Sequence, residues 1–325
     1  MFIASVRIGV MQISYKDIFY ILLKKLGFNI HGYTVKEAKE FVIVNFRFPR
    51  ALMSMLVGAA LATAGCIFQA VFKNPLADPY IIGVSSGAAL GAALAIVLKV
   101  SVFFPGLSGV TSTAFLFSLL TIYAVYRLAS VEGRIPVTVL LLAGVMVSIF
   151  LSALVSILMV VAGKELHVLV FWLMGGFSYV RWPYVFISTP IIIPCLILTL
   201  LFSRRLNLLL LSEEEAQHLG VDVTKNIKGF LVLGSLITAI AVSCSGSIGF
   251  IGLIIPHMMR LLVGPDHRVL LPSSILAGTS FLTLCDIIAR VVFMPAELPV
   301  GVITALTGGP FFLYLLRRSR GSYMF

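Results

Sequence analysis

The sequence is poor in charged residues and in cysteine. Asp, Glu, Lys and Arg make up 11% of the 325 residues, whereas a typical soluble domain carries about 25%. This excludes a water-soluble globular enzyme, and the 60% apolar content excludes a disordered chain. The four cysteines lie in apolar runs without CxxC spacing, so we expect buried thiols rather than a disulfide or metal site: Cys66, Cys195, Cys244 and Cys285.

Motifs for catalysis and nucleotide binding are also missing. There is no Walker A loop, HExxH pair or Ser-His-Asp order, so we expect neither an enzyme nor ATP hydrolysis by this chain. The five histidines lie on separate segments without carboxylate or cysteine partners at ligand spacing, and no resident metal or cofactor is expected. The net charge of +11 is attributed to basic loops that fix membrane topology, not to a nucleic-acid partner.

Long apolar runs dominate what is present. A bilayer span needs about 20 apolar residues, and such runs must be helices because backbone groups in hydrocarbon have to be satisfied within the segment. The sequence therefore predicts an all-α polytopic membrane protein with about nine full spans: Ala51–Val71, Ile81–Leu98, Thr111–Leu128, Thr138–Ala162, Tyr184–Phe202, Ile227–Ser243, Ile248–Val263, Ser273–Phe293 and Val300–Leu316.

Basic residues at the span ends predict the orientation. Twelve flank one side and four the other, which places the first side and the C-terminus in the cytoplasm. Eight more lie in residues 1–50 and level the count. Met1–Gln12 is apolar but too short to cross, and we interpret it as the end of a shortened first helix. Residues 1–325 are expected to form one transmembrane domain, with an extracytoplasmic segment in 1–50 and a cytoplasmic loop at 203–226.

Two polar motifs interrupt the apolar runs. In Asn74-Pro75-Leu76-Ala77-Asp78-Pro79, two prolines predict a non-helical turn whose loose backbone groups Asn74 and Asp78 can bind. In the run from Gly249 to His257, glycine and proline within one short segment predict a broken or kinked helix. Small-residue stripes predict close helix packing, at Gly58–Gly65 and at Gly83, Gly87 and Gly91.

The loop 203–226 contains a candidate short helix, Ser212–Gly220. Ser212 and Glu215 have the spacing of a capping box, and Gly220 can end the helix. Such a helix is either a solvated connector or a docking element for a cytoplasmic partner. Asp286 and Arg290 are four residues apart on one helix and are expected to pair. Arg47 and Arg50 precede the first full span, where lipid-interface anchoring is the simplest interpretation.

Taken together, these motifs resemble one family. Arg47-Phe48-Pro49-Arg50, the Asn74–Pro79 turn, Ile82–Ala88, Gly249–His257, Asp266-His267-Arg268 and Glu297–Gly301 follow the order found in permeases of ABC importers for iron-siderophores, haem and cobalamin. The resemblance covers about residues 13–318. It departs at the shortened first helix and at Pro136-Val137-Thr138, where the family often has small polar residues, and no gate is assigned there.

The resemblance implies a ten-helix permease that works as a homodimer or pseudo-dimer in the plasma membrane. Two cytoplasmic ATPases, which bind ATP and Mg²⁺, would drive it, and an external binding protein would deliver the substrate. It also implies site residues. These are Asn74 and Leu76 at the cytoplasmic gate, Arg47, Arg50 and Arg290 for binding-protein docking, and an ATPase-coupling segment of Ser212, Glu213, Glu214, Glu215, Ala216, Leu219 and Gly220.

Two other classes compete with an importer permease. An ion-coupled secondary transporter would need intramembrane carboxylates, and only Asp286 qualifies, with Arg290 expected to pair with it. A membrane-embedded enzyme would need a catalytic constellation that the sequence does not offer. The pore residues do not distinguish siderophore, haem, cobalamin and oxyanion substrates.

Overall fold

Helices account for all regular structure in the part of the chain that the structure describes. That structure is a computed structural model, and it describes residues 1–25, 27, 35–101, 108–130, 136–211, 213–220 and 222–318. The α-helices are α1 (Phe2–Arg7), α2 (Tyr15–Lys25), α3 (Glu37–Val42), α4 (Phe48–Val71), α5 (Val84–Val97), α6 (Gly109–Ala129), α7 (Val137–Val161), α8 (Leu166–Met174), α9 (Trp182–Leu201), α10 (Ser203–Leu209), α11 (Glu213–His218), α12 (Val223–Ser245), α13 (Ile251–Val263), α14 (His267–Val291) and α15 (Val300–Arg318).

Each of the nine predicted apolar segments is a helix, but they differ in length. Among the described residues, six helices are long and apolar enough to cross a membrane, including α7 and α14. Three are shorter apolar helices, at Val84–Val97, Ile251–Val263 and Val300–Leu313. The prediction of helices is confirmed, and the count of nine spans stays a prediction, since α5 and α13 have only 14 and 13 residues.

The first long helix begins earlier than predicted. α3 continues through a π-helical turn, Ile43–Arg47, into α4, so one apolar stretch runs from Glu37 to Val71. Pro49 is the second residue of α4 and has no N–H to donate, and the Val44 carbonyl five residues before it accepts a hydrogen bond from Trp182 Nε1 at 2.7 Å instead. The π-turn before it accommodates the change in hydrogen-bond pattern. Arg47 and Arg50 therefore lie inside this helix and not ahead of it, and residues 37–50 are not a separate segment.

α4 is the centre of the fold. It packs against α9, α12, α13 and α14, and 20 of its 24 residues are buried. Glycines allow the closest of these contacts, since a Cβ at Gly58 would collide with the Gly278 carbonyl on α14 and a Cβ at Gly65 with the Gly252 carbonyl on α13. The predicted small-residue packing is confirmed. The glycine stripe of α5 packs on α6 in the same way.

α7 is mostly exposed, in contrast to the buried α4. Only 11% of its most apolar stretch is buried, against 83% for the stretch that contains α4. Its outward side chains are large and apolar, among them Leu142, Met146, Ile149, Phe150 and Ile157. α7 therefore offers an apolar face to lipid or to another chain.

The cytoplasmic loop predicted at 203–226 holds two helices instead of one. α10 was not predicted, and α11 covers only Glu213–His218 of the expected Ser212–Gly220 helix. α12 already begins at Val223, where Asp222 caps it by accepting a hydrogen bond from the Lys225 amide at 2.9 Å. Gly220 has φ +76°, which agrees with the predicted helix stop. Ser212, the expected cap, lies outside the described residues.

Candidate functional site

The turn at Asn74–Pro79 follows α4 directly. Asn74 Oδ1 accepts a hydrogen bond from the Leu76 amide at 2.9 Å, and Asp78 Oδ1 accepts one from the Tyr80 amide at 2.8 Å. Asp78 thereby caps a short 3₁₀ helix, Pro79–Ile82, which leads into α5. The predicted role of both side chains in the turn is confirmed. Asn74 is exposed and Leu76 half-buried, so both gate candidates border this end of the protein.

Gln69 holds the turn against α13. The Asn74 amide donates to the Gln69 carbonyl at 3.1 Å, which closes the end of α4. The Gln69 side-chain amide donates to the Gly252 carbonyl at 3.2 Å, and its oxygen accepts from Arg260 at 3.0 Å. One buried glutamine thus bridges the turn, the start of α13 and a cation near the end of α13.

A second break in the helices faces the 3₁₀ helix. Between α12 and α13, Gly246 and Phe250 both have positive φ, at 68° and 72°. The Tyr80 hydroxyl donates to the Ile248 carbonyl at 2.8 Å and accepts from the Ile248 amide at 3.1 Å. The predicted break is therefore confirmed, but it precedes α13, and Pro256 lies within that helix. The two irregular segments satisfy backbone groups that hydrocarbon would leave unpaired.

A cavity of about 480 Å³ opens beside this second break. It is lined by aromatic side chains from α8, α9 and the segment between them, and by hydroxyl groups from α6, α12 and that same segment. One acid and one base complete the lining. The residues that define it are Phe171, Trp172, Tyr179, Tyr184, Thr111, Ser178, Ser243, Ser245, Arg181 and Glu297.

Next to the cavity, Arg50 joins two acids. Its guanidinium lies 2.9 Å from Asp286 Oδ1 and 2.8 Å from Glu297 Oε2. Arg290 lies 3.2 Å from the other Asp286 oxygen, so the predicted Asp286–Arg290 pair is confirmed and Asp286 serves two cations. Burial alone would raise the pKa of Glu297, but the Arg50 charge and its hydrogen bonds outweigh it and lower that pKa.

Arg47 and Arg290 also bind the N-terminal segment. Arg47 donates to the Val6 and Met11 carbonyls at 2.6 and 2.7 Å, and Arg290 donates to the Ser5 carbonyl at 3.1 Å. The structure thus brings the three predicted docking arginines to one end of the fold. Their side chains are nearly buried, which is inconsistent with lipid-interface anchoring of Arg47 and Arg50. Their docking role stays a prediction.

α11 lies at the opposite end, beside the Asn74 turn. Ala216 is buried and seats the helix, which contacts α10 and α12. Glu214, Glu215, Leu219 and Gly220 are exposed, so α11 presents an acidic outer face. This end therefore holds a small outward helix together with both gate candidates, whereas the arginines lie at the other end of α4 and α14.

Several site residues escaped sequence reasoning. Glu297 was quoted in a motif without a partner, although it binds Arg50 from 247 positions away. No motif or spacing in the sequence indicates a role for Asn207 or Lys73. Among the residues that the structure describes, no group of three or more His, Cys, Asp or Glu could hold a metal ion. All four cysteines are free and buried, as predicted.

Comparison with known proteins decides the family. Residues 1–318 match the FecCD transport family. The chain belongs to this family. Among FecCD relatives, it is 46% identical over 283 residues to the cobalamin import system permease BtuC of Halobacterium salinarum, covering 87% of this chain and 75% of that protein. It is 40% identical to the hemin transport system permease HmuU of Yersinia pestis, covering 88% and 86%.

Other relatives are described as permeases for other substrates. The molybdate import system permease MolB of Haemophilus influenzae is 37% identical, covering 97% of this chain and 92% of that protein. A solved structure described as an inward-facing conformation of a putative metal-chelate type ABC transporter superposes with a TM-score of 0.80 at 35% identity, covering 97% and 94%. The resemblance seen in the motifs is confirmed, and the chain is an integral membrane protein of the permease type.

Proposed function

We propose that this chain is the permease subunit of an ABC importer that moves a metal chelate (an iron-siderophore, haem or cobalamin) into the cytoplasm by alternating access. Separate ATPase subunits supply the energy, and an extracytoplasmic binding protein delivers the chelate. The chain lies in the plasma membrane with its C-terminus in the cytoplasm. Membership of the FecCD family supports the assignment to an ABC importer. The geometry described above supports the gate, the docking surfaces and the two-copy assembly.

The contact between the two irregular segments carries this proposal. Transporters place broken helices where a substrate path has to open and close, because irregular backbone is tolerated only against protein or a cavity. Here Tyr80 joins the Asn74 turn to the α12–α13 break, and the cavity of about 480 Å³ lies beside that break. Asn74 and Leu76 lie on the same irregular segment as Tyr80 and form the cytoplasmic gate.

The outward face of α7 supports a two-copy permease. A long apolar helix with so little of its surface buried has room for a partner along most of its length. A second copy of this chain, or a related permease, covers it in the assembled importer. The path then lies between the two copies.

The two ends of the fold suit two protein partners. At one end, α11 and the adjoining Leu219 and Gly220 fit the docking element for the ATPase, so the connector alternative is set aside. At the other end, Arg47, Arg50 and Arg290 give a positive cluster for acidic groups of the binding protein. Because they are nearly buried, a docking carboxylate has to approach Arg50 beside Glu297, which is the more open partner.

The cavity favours a bulky chelate over a bare oxyanion. Its aromatic lining suits a large, partly apolar ligand, and Arg181 offsets the charge of Glu297 in that lining. An ion-coupled secondary transporter is disfavoured, because Asp286 is already held by Arg50 and Arg290 and is not available to bind a coupling ion.

Transport by the tagged chain tests this proposal. The chain is purified from its native membrane together with its bound subunits and reconstituted with the binding protein in vesicles. Uptake of radiolabelled cobalamin, haem, a ferric siderophore and molybdate is then compared. We expect uptake of one chelate that needs ATP and survives a proton or sodium ionophore. Uptake of molybdate alone would overturn the chelate assignment, and uptake abolished by the ionophore but independent of ATP would overturn the importer.

A further inference from the structure

Asn207 on α10 fastens the cytoplasmic loop to the start of α14. Its Nδ2 donates to Asp266 Oδ1 at 2.7 Å. Its Oδ1 accepts from the His267 amide at 2.9 Å and lies 2.8 Å from His267 Nδ1. Asp266 is the N-cap of α14, and His267 is its buried first residue. The nitrogen and the oxygen of the Asn207 side-chain amide therefore both bind the N-terminus of α14.

This arrangement fixes which way the amide points. A carboxylate can only accept, so Nδ2 must face Asp266, and Oδ1 is then free to accept from the His267 amide. Aspartate at position 207 has the same shape but would set two carboxylates against each other. Asn207 therefore fits this position by chemistry as well as by size.

Lys73, just after the end of α4, makes a second contact with the loop. Its ammonium donates to the Leu211 carbonyl, at the entrance to α11. Lys73 also has φ +47°, in the left-handed region where a helix usually ends on glycine. Lysine adopts this positive φ less readily than glycine would, but its side chain reaches the loop. The next residue is Asn74, the first of the two gate candidates.

The two fastened helices are themselves tied together. The Ser54 hydroxyl on α4 lies 3.2 Å from that of Thr283 on α14. Gly58 and Gly278 meet with no room for a side chain. Asn207 and Lys73 therefore attach the loop at two points to α4 and α14, which pack against each other. One contact alone would act as a pivot, whereas two fix the orientation of the loop against the pair.

We propose that Asn207 and Lys73 are positioning residues that transmit movement of the loop 203–220 to α4 and α14, and through them to the turn at Asn74 and Leu76. The inference rests on the proposed function, in which the ATPase moves α11. Neither residue lines the cavity of about 480 Å³. Coupling of this kind needs a continuous chain of contacts and an element that both ends influence, and the Asn74 turn is that element.

Amide hydrogen exchange tests the first fastening without any partner subunit. In Asn207→Asp, we expect the amides at the start of α14 to exchange about 5 to 30 times faster, the ratio expected when a well-made hydrogen bond or two is lost. Lys225→Met serves as the matched control, because Lys225 is exposed and forms its ion pair with Asp222, the cap of α12. Equal exchange in Asn207→Asp and Lys225→Met would overturn the fastening.

Gate labelling in the assembled importer tests transmission. Leu76→Cys is introduced, and its reaction with a membrane-impermeant maleimide is measured in the purified complex with and without ATP and vanadate. We expect nucleotide to change the labelling rate in this parent and in Lys73→Arg and Lys225→Met. In Asn207→Asp and in Lys73→Met, we expect most of the response to be lost while the ATPase still co-purifies.

Lys73→Gly separates the side chain from the backbone. Glycine adopts the same φ readily but cannot reach Leu211, so we expect it to lose the response as Lys73→Met does. A complex whose nucleotide response survives Asn207→Asp, Lys73→Met and Lys73→Gly would overturn this inference and leave the proposed function standing. A parent chain that co-purifies with no ATPase would overturn the proposed function, and this inference with it.

Discussion

The two ends of the α4–α14 pair are held by different chemistry. We call them the arginine end, with Arg50, Asp286, Arg290 and Glu297, and the amide end, with Gln69, Asn74 and Asn207. At the arginine end, buried guanidiniums share two carboxylates. At the amide end, the contacts are hydrogen bonds that amide side chains donate or accept.

This difference bears on which end is able to move. Separating a buried ion pair leaves an uncompensated charge and costs about 3–5 kcal/mol. An ordinary hydrogen bond contributes only about 0.5–1.5 kcal/mol and is readily exchanged with water at a surface. The arginine end is therefore suited to hold α4 and α14 together as a fixed point, and the amide end to rearrange. Four substitutions test this comparison.

The largest effect is expected at Asp286. Asp286→Asn keeps the volume but removes the charge that Arg50 and Arg290 share, so we expect the free energy of unfolding to fall by about 3–5 kcal/mol. Unfolding in mixed dodecyl sulfate and maltoside micelles measures it. Asp222→Asn, at the surface, is the control. A loss no greater than in this control would show that the arginine end is not held by its charges.

Gly58→Ala tests the packing that connects the ends. The new Cβ would meet the Gly278 carbonyl, and forcing the helices apart is expected to cost about 1–3 kcal/mol. Gly229→Ala on α12 is the matched control, because a Cβ there meets nothing within 4 Å. It should be neutral or stabilise by up to about 1 kcal/mol, since alanine favours the helix. Equal behaviour of the two variants would contradict the close contact of α4 and α14.

Asn74→Ala removes one bond from the amide end. The Leu76 amide loses its acceptor, and we expect a loss of about 0.5–1.5 kcal/mol. Asn74→Asp retains an acceptor oxygen and should lose less. The same micelle titration compares the two. If both variants lost as much as Asp286→Asn, the contrast between the ends would not hold.

The smallest effect is expected from pH acting at Glu297. Because Arg50 lowers the pKa of Glu297, the stabilisation is present above the unfolded-state value of about 4.3 and is lost as pH falls through the lower folded value. The pair is partly exposed, so about 0.2–1 kcal/mol is expected. The stability difference between the parent and Glu297→Gln should shrink between pH 7 and pH 3. A difference that is constant over this range would contradict the pairing.

Much of the fold and part of the site could be predicted from local patterns. The apolar segments, the Asn74 and Asp78 turn, the glycine stripes and the Asp286–Arg290 pair depend on neighbours within a few residues, which the sequence places side by side. The start of the first long helix was missed, because a π-turn lets it continue through charged residues up to Pro49. α8 and α10 were missed because each is short.

The long-range contacts of the site could not be predicted in this way. Arg47 precedes Pro49 in a motif that suggests an interface anchor, yet its donors bind carbonyls about 40 positions away. Arg50 meets Asp286 and Glu297 across more than 230 positions. Nothing in the spacing of these residues indicates that they meet.

The sequence by itself determined that this protein is helical and resides in a membrane, because too few charged residues remain to cover a soluble surface and hydrocarbon permits few backbone conformations. Its motif order also determined the family. Only the tertiary structure decided which charges are buried together and which amides fasten the loop to α4 and α14. Those contacts follow from how the helices pack, and packing joins residues by distance in space regardless of their separation along the chain.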